Sequence, residues 1–182
     1  MNTLQGRKIL LGVTGSIAAY KSLLLLRLLT KAGAEVQVIL TKNAHDFVGE
    51  LSFSTLSNKP VYTDLKNDHE WQNHVELGLW ADLILIVPAS AHTIAKFRCG
   101  MVDNLLTAVY LSARCPVMIS PAMDLDMWQH PATQDNLQVL VNRGHFIIPV
   151  ENGPLASGLT GPGRLAEPDQ ILFHVNSFFY QT

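Results

Sequence analysis

An apolar run, Lys8–Val13, leads into Gly12-Val-Thr-Gly15-Ser16, and a helical stretch follows at once. Glycine at such a junction allows a tight turn and close approach of the backbone, while Ser16 can cap the helix and still offer its hydroxyl. The first N–H groups of a helix lack partners inside it, so the junction can hold an anion. Its spacing is neither GxGxxG nor GxxxxGK followed by Ser or Thr, which disfavours a dinucleotide or a P-loop nucleotide and leaves a single phosphate. A bare turn capped by Ser16 accounts for the same residues equally well. Thr41 and Ser90 end two further apolar runs. Their short hydroxyl side chains can reach a phosphate or a polyol, or serve as local caps. An imidazole titrates near neutrality and can move protons there, which makes the seven histidines worth sorting. His45, His69, His130, His145 and His174 read as surface or capping residues. Lys21 and Lys96 read as solvated helix charges, Arg164 as a loop charge or an anion anchor, and Trp71, Trp80 and Trp128 as packing residues. Asp103-Asn104 reads as a helix start. No spacing of His, Cys, Asp and Glu suggests a metal.

The elements that must position these groups alternate. After Lys8–Val13 come a helix over Ile17–Lys31 closed by Gly33, and a strand over Glu35–Leu40. Further on, strands are expected at Asp82–Val87, Pro116–Ser120 and His145–Val150, with helices at Ala91–Phe97, Asp103–Ala113 and Thr133–Arg143. The strands are continuous apolar runs, as in sheets covered on both faces. The alternation predicts an α/β domain: a doubly wound parallel sheet, Rossmann or flavodoxin-like, with helices on both faces, over residues 1–182. Asn58–Asn73 and Glu151–Pro168 read as irregular. In open sheets of this kind ligands sit at the carboxyl ends of the strands. Here those ends carry GVTGS, LTKN, VPASAHT and SPAMD.

Composition narrows the partners. The chain is 48% apolar and 15% charged, with a net charge of −2 and no basic block, so neither nucleic acid nor an anionic membrane is expected. High apolar content points to surface buried between subunits or to a large core. The two cysteines, Cys99 and Cys115, form no CxxC pair and fit reduced thiols. The apolar run Leu23–Leu29 is broken by Arg27 and is too short for a membrane span, and the first residues carry no signal-peptide pattern. A cytoplasmic protein is expected.

Four stretches taken together resemble one family, the homo-oligomeric flavin-dependent cysteine decarboxylases. GVTGSIAAYK resembles its phosphate-binding start, HVELGLWADLILIVPASAHT the segment with its catalytic His and its PASANT motif, SPAMDLDMW its PxMNxxMW motif, and GPLASGLTGPGRL its mobile substrate loop. The order is the family's and the match runs over nearly the whole chain. The resemblance is nearest to the branch that decarboxylates phosphopantothenoylcysteine to phosphopantetheine in coenzyme A synthesis. It implies FMN as cofactor, a small phosphorylated cysteine-containing substrate, and a homotrimer or a dodecamer of trimers with FMN between subunits. It implies that Gly15, Ser16, Ile17, Thr41, Ser90, His92 and Thr93 surround FMN, with Met123 near its ring. It makes His74 and Ser157 the catalytic positions, and Asp124 and Ala156 the substrate-binding ones.

The implied chemistry is oxidation of the cysteine side chain to a thioaldehyde, loss of CO2, and reduction of the enethiolate that remains. Three positions depart from the family pattern: His92 and Asp124 replace Asn, and Ser157 replaces Cys. An ionised Asp124 only accepts hydrogen bonds and repels a carboxylate, so it binds an amide N–H, is neutralised by a cation, or merely caps a short DLDMW helix. A serine hydroxyl is a far weaker acid than the thiol it replaces. Two alternatives therefore stand beside the full reaction. One is an oxidative decarboxylase of another cysteine carboxylate, of the peptidyl-cysteine type; the other is a flavin-binding regulatory protein without turnover.

Overall fold

The computed structural model describes residues 3–67, 70–71 and 73–181; His69 and the side chain of Trp71 lie outside them. In chain order the elements are β1 (Lys8–Val13), α1 (Tyr20–Lys31), β2 (Glu35–Leu40), α2 (Glu50–Ser57), β3 (Val61–Tyr62), β4 (Lys66–Asn67), β5 (Glu70–Trp71) and α3 (His74–Trp80). They continue with β6 (Leu83–Ala89), α4 (Ala91–Cys99), α5 (Leu105–Ser112), β7 (Val117–Pro121), α6 (Leu125–Gln129) and α7 (Pro131–Asn142). The last are β8 (Phe146–Ile147), β9 (Glu151–Pro154), β10 (Thr160–Arg164) and α8 (Pro168–Gln181). Six strands form one sheet in the order β3-β2-β1-β6-β7-β8, every neighbouring pair parallel. Strand order reverses between β1 and β6, which opens a crevice at their carboxyl ends.

The apolar runs form central strands because both faces are covered. Along β1, Ile9, Leu11 and Val13 enter one core, with Leu25, Leu26 and Leu29 of α1 and Ile171 and Val175 of α8. Leu10 enters the other, with Ile94 and Phe97 of α4, Leu106 and Val109 of α5, and Leu137 and Leu140 of α7. On β6, Leu83, Leu85 and Val87 alternate with Ile84 and Ile86 in the same way. Burying each such side chain contributes about 1.5–3 kcal/mol. Gly12 completes the fit: a Cβ there would lie 2.7 Å from Leu106 Cδ1 and 2.8 Å from Ile86 Cδ1, so α5 settles directly on β1.

The predicted sheet is present, with corrections. Strand β6 continues through Pro88 to Ala89, its register on β7 shifting between Ile86 and Ala89. The predicted strand at His145–Val150 narrows to Phe146–Ile147. The two stretches read as irregular contain β3 and two antiparallel hairpins, β4-β5 and β9-β10. Helix α8 was not anticipated. Asn104 caps α5 in a reciprocal pair with Thr107, as a helix start should. Lys96 is not a solvated charge: its side chain is 12% exposed and pairs with Asp103. His130 caps α7 through Nδ1, accepting from the Ala132 N–H. His145 shares a 2.7 Å hydrogen bond with the Tyr110 hydroxyl, and its burial holds the imidazole pKa below the usual range. Trp80 and Trp128 pack against the second core, as expected.

Candidate functional site

The turn after β1 is fixed by hydrogen bonds. Ser16 caps the short 3-10 turn Ile17–Ala19 that opens into α1, its Oγ accepting from the Ala18 N–H at 3.2 Å. Thr14 is 1% exposed; its hydroxyl donates to the Pro88 carbonyl at 2.7 Å and accepts from the Ser90 N–H at 2.9 Å. That side chain fastens the β1 turn to the β6 turn across the switch point. Ser90 in turn caps α4, accepting from the Thr93 N–H at 3.4 Å. Two helix starts, each capped by a serine, are therefore tied together at the crevice, where their dipoles favour negative charge. Gly15 allows the third neighbour to close in: a Cβ there would fall 2.8 Å from Asn43 Cβ and 2.9 Å from the Asn43 carbonyl oxygen. Thr41 caps the 3-10 turn Lys42–Asp46 beside it, without a side-chain cap bond.

Beside this crevice lies a cavity of about 330 Å³, lined by three separate segments. Ser16, Ile17, Tyr20 and Lys21 come from the start of α1. Ala122, Met123 and Asp124 come from the end of β7. Leu155, Ala156, Arg164 and Leu165 come from the β9-β10 hairpin. The hairpin is pinned by two glycines. Gly161 leaves room for Leu125, since a Cβ there would meet Leu125 Cδ1 at 2.6 Å. Gly163, at φ +124°, has no room for a side chain: its carbonyl accepts from the Met123 N–H at 3.0 Å, and a Cβ would fall 2.5 Å from the Met123 carbonyl oxygen. A largely apolar cavity with a few convergent polar groups is the usual form of a small-molecule site.

Two of the lining residues, Lys21 and Arg164, belong to an ionic cluster. Lys21 is 5% exposed; its ammonium donates to the Leu165 carbonyl at 3.2 Å and to Glu167 Oε1 at 2.8 Å. Arg164 donates to the same Oε1 at 2.9 Å, and its Nε lies 4.0 Å from Glu151 Oε2. The Lys21 hydrogen bond, reinforced by Arg164, holds the Glu167 carboxyl below the ordinary glutamate range. Lys21 is thus no solvated helix charge, contrary to the expectation from sequence: it ties the first turn of α1 to the hairpin.

Of the expected site residues, the cavity gathers Ser16, Ile17, Met123, Asp124 and Ala156. Asp124 does cap α6, its Oδ1 accepting from the Leu125 N–H, and lines the cavity as well. Gly15, Thr41, Ser90 and buried Thr93 stand around the adjoining crevice rather than on the cavity wall, and His92 is exposed on the first turn of α4. Ser157 lies at the exposed hairpin tip, where its Oγ accepts from the Leu159 N–H at 3.3 Å. His74 opens α3 after its cap Asn73 and is not among the residues lining the cavity. Thr14 and Lys21 were missed as site residues. Thr14 was in view within GVTGS, but a threonine's two partners across a sheet leave no mark in sequence. No helix of the described residues is long and apolar enough to cross a membrane.

The flavoprotein family matches residues 1–179. The chain belongs to that family. It is 56% identical over 131 residues to a cysteine/cysteine sulfinic acid decarboxylase from an unknown prokaryotic organism, covering 71% of this chain and 36% of that protein. It is 42% identical over 181 residues to the coenzyme A biosynthesis bifunctional protein CoaBC of Vibrio cholerae, covering 98% of this chain and 45% of the relative. The chain thus spans less than half the length of these curated relatives. Among solved structures, a cysteine-to-serine mutant of a PPC decarboxylase complexed with pantothenoylaminoethenethiol superposes with a TM-score of 0.86 at 33% identity, covering 97% of this chain and 99% of that one. The FMN binding protein AtHal3 superposes at 0.87 and 34%, covering 98% and 99%. These likenesses extend over whole chains and agree with the expected doubly wound sheet.

Proposed function

We propose that this chain binds FMN and decarboxylates phosphopantothenoylcysteine to phosphopantetheine, a step of coenzyme A synthesis, as one flavoprotein domain over residues 1–182. The observation that carries the reading is the cavity itself: the β1 turn, the SPAMD segment and the hairpin, far apart in sequence, meet around one space. The full-length likeness to a PPC decarboxylase supports it.

The residues present fit FMN. Gly15 forms a cradle that any side chain would fill against Asn43, and two helix starts converge there, which suits one phosphate group. In this reading Gly15, Ser16 and Ile17 hold the phosphate, Thr41, Ser90, His92 and Thr93 the remainder of the cofactor, and Met123 the ring. Bound FMN supplies the reversible removal of a hydride from the cysteine side chain. The protein's own share is placement and protons: Asp124 and Ala156 line the substrate's side of the cavity, and His74 exchanges a proton with the substrate. Ser157 occupies the second catalytic position of this reading.

His74 is not among the residues lining the cavity of its own chain, and in this reading a second copy brings its imidazole there. Ile17 and Tyr20 at the cavity rim are 64% and 54% exposed, and Val75 and Leu79 beside His74 are 45% and 52% exposed. These apolar surfaces support a homotrimer, or a dodecamer of trimers, in which α3 of one copy closes the cavity of the next. A cytoplasmic location goes with this role. The 56% identity to a cysteine/cysteine sulfinic acid decarboxylase favours a second reading, in which a smaller cysteine carboxylate is the substrate.

Mass spectrometry of phosphopantothenoylcysteine incubated with FMN-loaded protein tests the proposal. Loss of CO2 alone, abolished by His74→Asn, is expected. A product lighter by two further hydrogens would make the enzyme an oxidative decarboxylase. No conversion despite bound flavin would sink the assignment.

A further inference from the structure

We infer that Arg164 anchors the carboxylate that the reaction removes, a role that rests on the decarboxylase reading above. The wall of the cavity carries three charged side chains: Lys21, Asp124 and Arg164. Asp124 repels a carboxylate. Lys21 is 5% exposed and directs its ammonium at the Leu165 carbonyl and Glu167. Arg164 is different. Its side chain is 37% exposed; Glu167 engages Nη2, and Glu151 lies 4.0 Å from Nε. A guanidinium has five N–H donors in a planar fork, so most of them stay available to a second, bidentate partner.

The backbone aims that fork. Pro162 pairs with Asn152 and Arg164 with Glu151, so Gly163 is the extra residue of a bulge. Bulges re-aim the side chain that follows them. A Cβ on Gly153 would lie only 3.3 Å from Arg164 Nη1, so the glycine of the facing strand leaves the guanidinium its space. The Met123 N–H bonds to the Gly163 carbonyl, which sets Asp124 and Arg164, each the next residue along, on either side of one contact. Among the described residues no ion pair joins the two. The cavity thus offers an acceptor and a fork of donors side by side. A cysteine carboxylate carries its N–H and its carboxylate on one carbon, and it fits that pair with the N–H on Asp124 and the carboxylate on Arg164.

The substrate also carries a phosphate, and the test separates the two anions. Unreactive analogues with serine in place of cysteine are titrated calorimetrically into FMN-loaded protein: one with phosphate and carboxylate, one without the phosphate, one without the carboxylate. Arg164→Gln weakens the first two by the same factor, about ten- to a hundredfold, and leaves the third unchanged. Arg164→Lys, which keeps the pairing with Glu167, falls between. Equal weakening of all three would make Arg164 a support of the hairpin and overturn the inference. Weakening confined to the phosphorylated analogues would make it a phosphate anchor and overturn it too. No weakening, with wild-type binding intact, refutes the inference and leaves the decarboxylase reading standing. Wild-type protein that binds none of the analogues removes both.

Discussion

The sheet and the hairpin β9-β10 are held by different means. Every residue of β6 is buried, and its side chains alternate between two apolar cores. The hairpin is half-exposed, built from ENGP and TGPGR, and is kept in place by two glycine contacts, one backbone bond to Met123 and an ionic cluster. Many interchangeable apolar contacts give stability; a few specific ones give position. Damage to the sheet should therefore cost folding energy and spare the site, whereas damage to the hairpin should spare folding and cost ligand binding.

Leu85→Ala is the strongest test of the first half. Leu85 is 0% exposed in the middle of β6, and its truncation should remove about 2–5 kcal/mol of stability, read from urea midpoints. FMN affinity of the folded fraction should change little. A large loss of affinity in protein that is still folded would show that the two regions are coupled, and the contrast would fail.

Gly163→Ala tests the second half. Its φ of +124° disfavours any side chain, and the new Cβ would meet the Met123 carbonyl oxygen at 2.5 Å. The left-handed backbone costs about 1–3 kcal/mol, and the clash with a backbone oxygen at this buried position adds to it unless the hairpin moves away from Met123. Yielding moves Arg164 away from Asp124, so KM for the cysteine substrate should rise well beyond what the stability change accounts for. An unchanged KM would mean that the hairpin's placement does not matter to binding.

The same contrast explains what could be read in the sequence. KILLGV, EVQVIL and DLILIV announce buried parallel strands, because two-sided burial leaves no polar position. TGPGR announces nothing: two glycines and a proline have low strand preference, and β10 exists because its backbone pairs with β9 and packs on Leu125. Of the residues that line the cavity, Ser16, Ile17, Met123, Asp124 and Ala156 were singled out through motifs. Lys21 was misread because a lysine on a helix carries no sign of the carbonyl and carboxylate, Leu165 and Glu167, that meet it from the far end of the chain. Helix α8 was missed although Ile171 and Val175 lie one turn apart on its buried face.

Lys21→Met should have the smallest effect and the clearest signature. The Lys21 hydrogen bond is the main cause of Glu167's depressed pKa. A carboxyl with a lower pKa in the folded state adds stability above its unfolded pKa, about 4.3, and that stability is lost as the pH falls through the folded value. Glu167's side chain is 42% exposed, so the pair is screened by water and the substitution should cost only about 1 kcal/mol at pH 7. The gap in urea midpoint between wild type and variant should then close as the pH is lowered below Glu167's folded pKa, where the carboxyl is neutral in both proteins. A gap that stayed constant to low pH would assign the cost to the packing of the lysine stem and its bond to the Leu165 carbonyl, and would remove the ion pair from the list of contacts that place the hairpin.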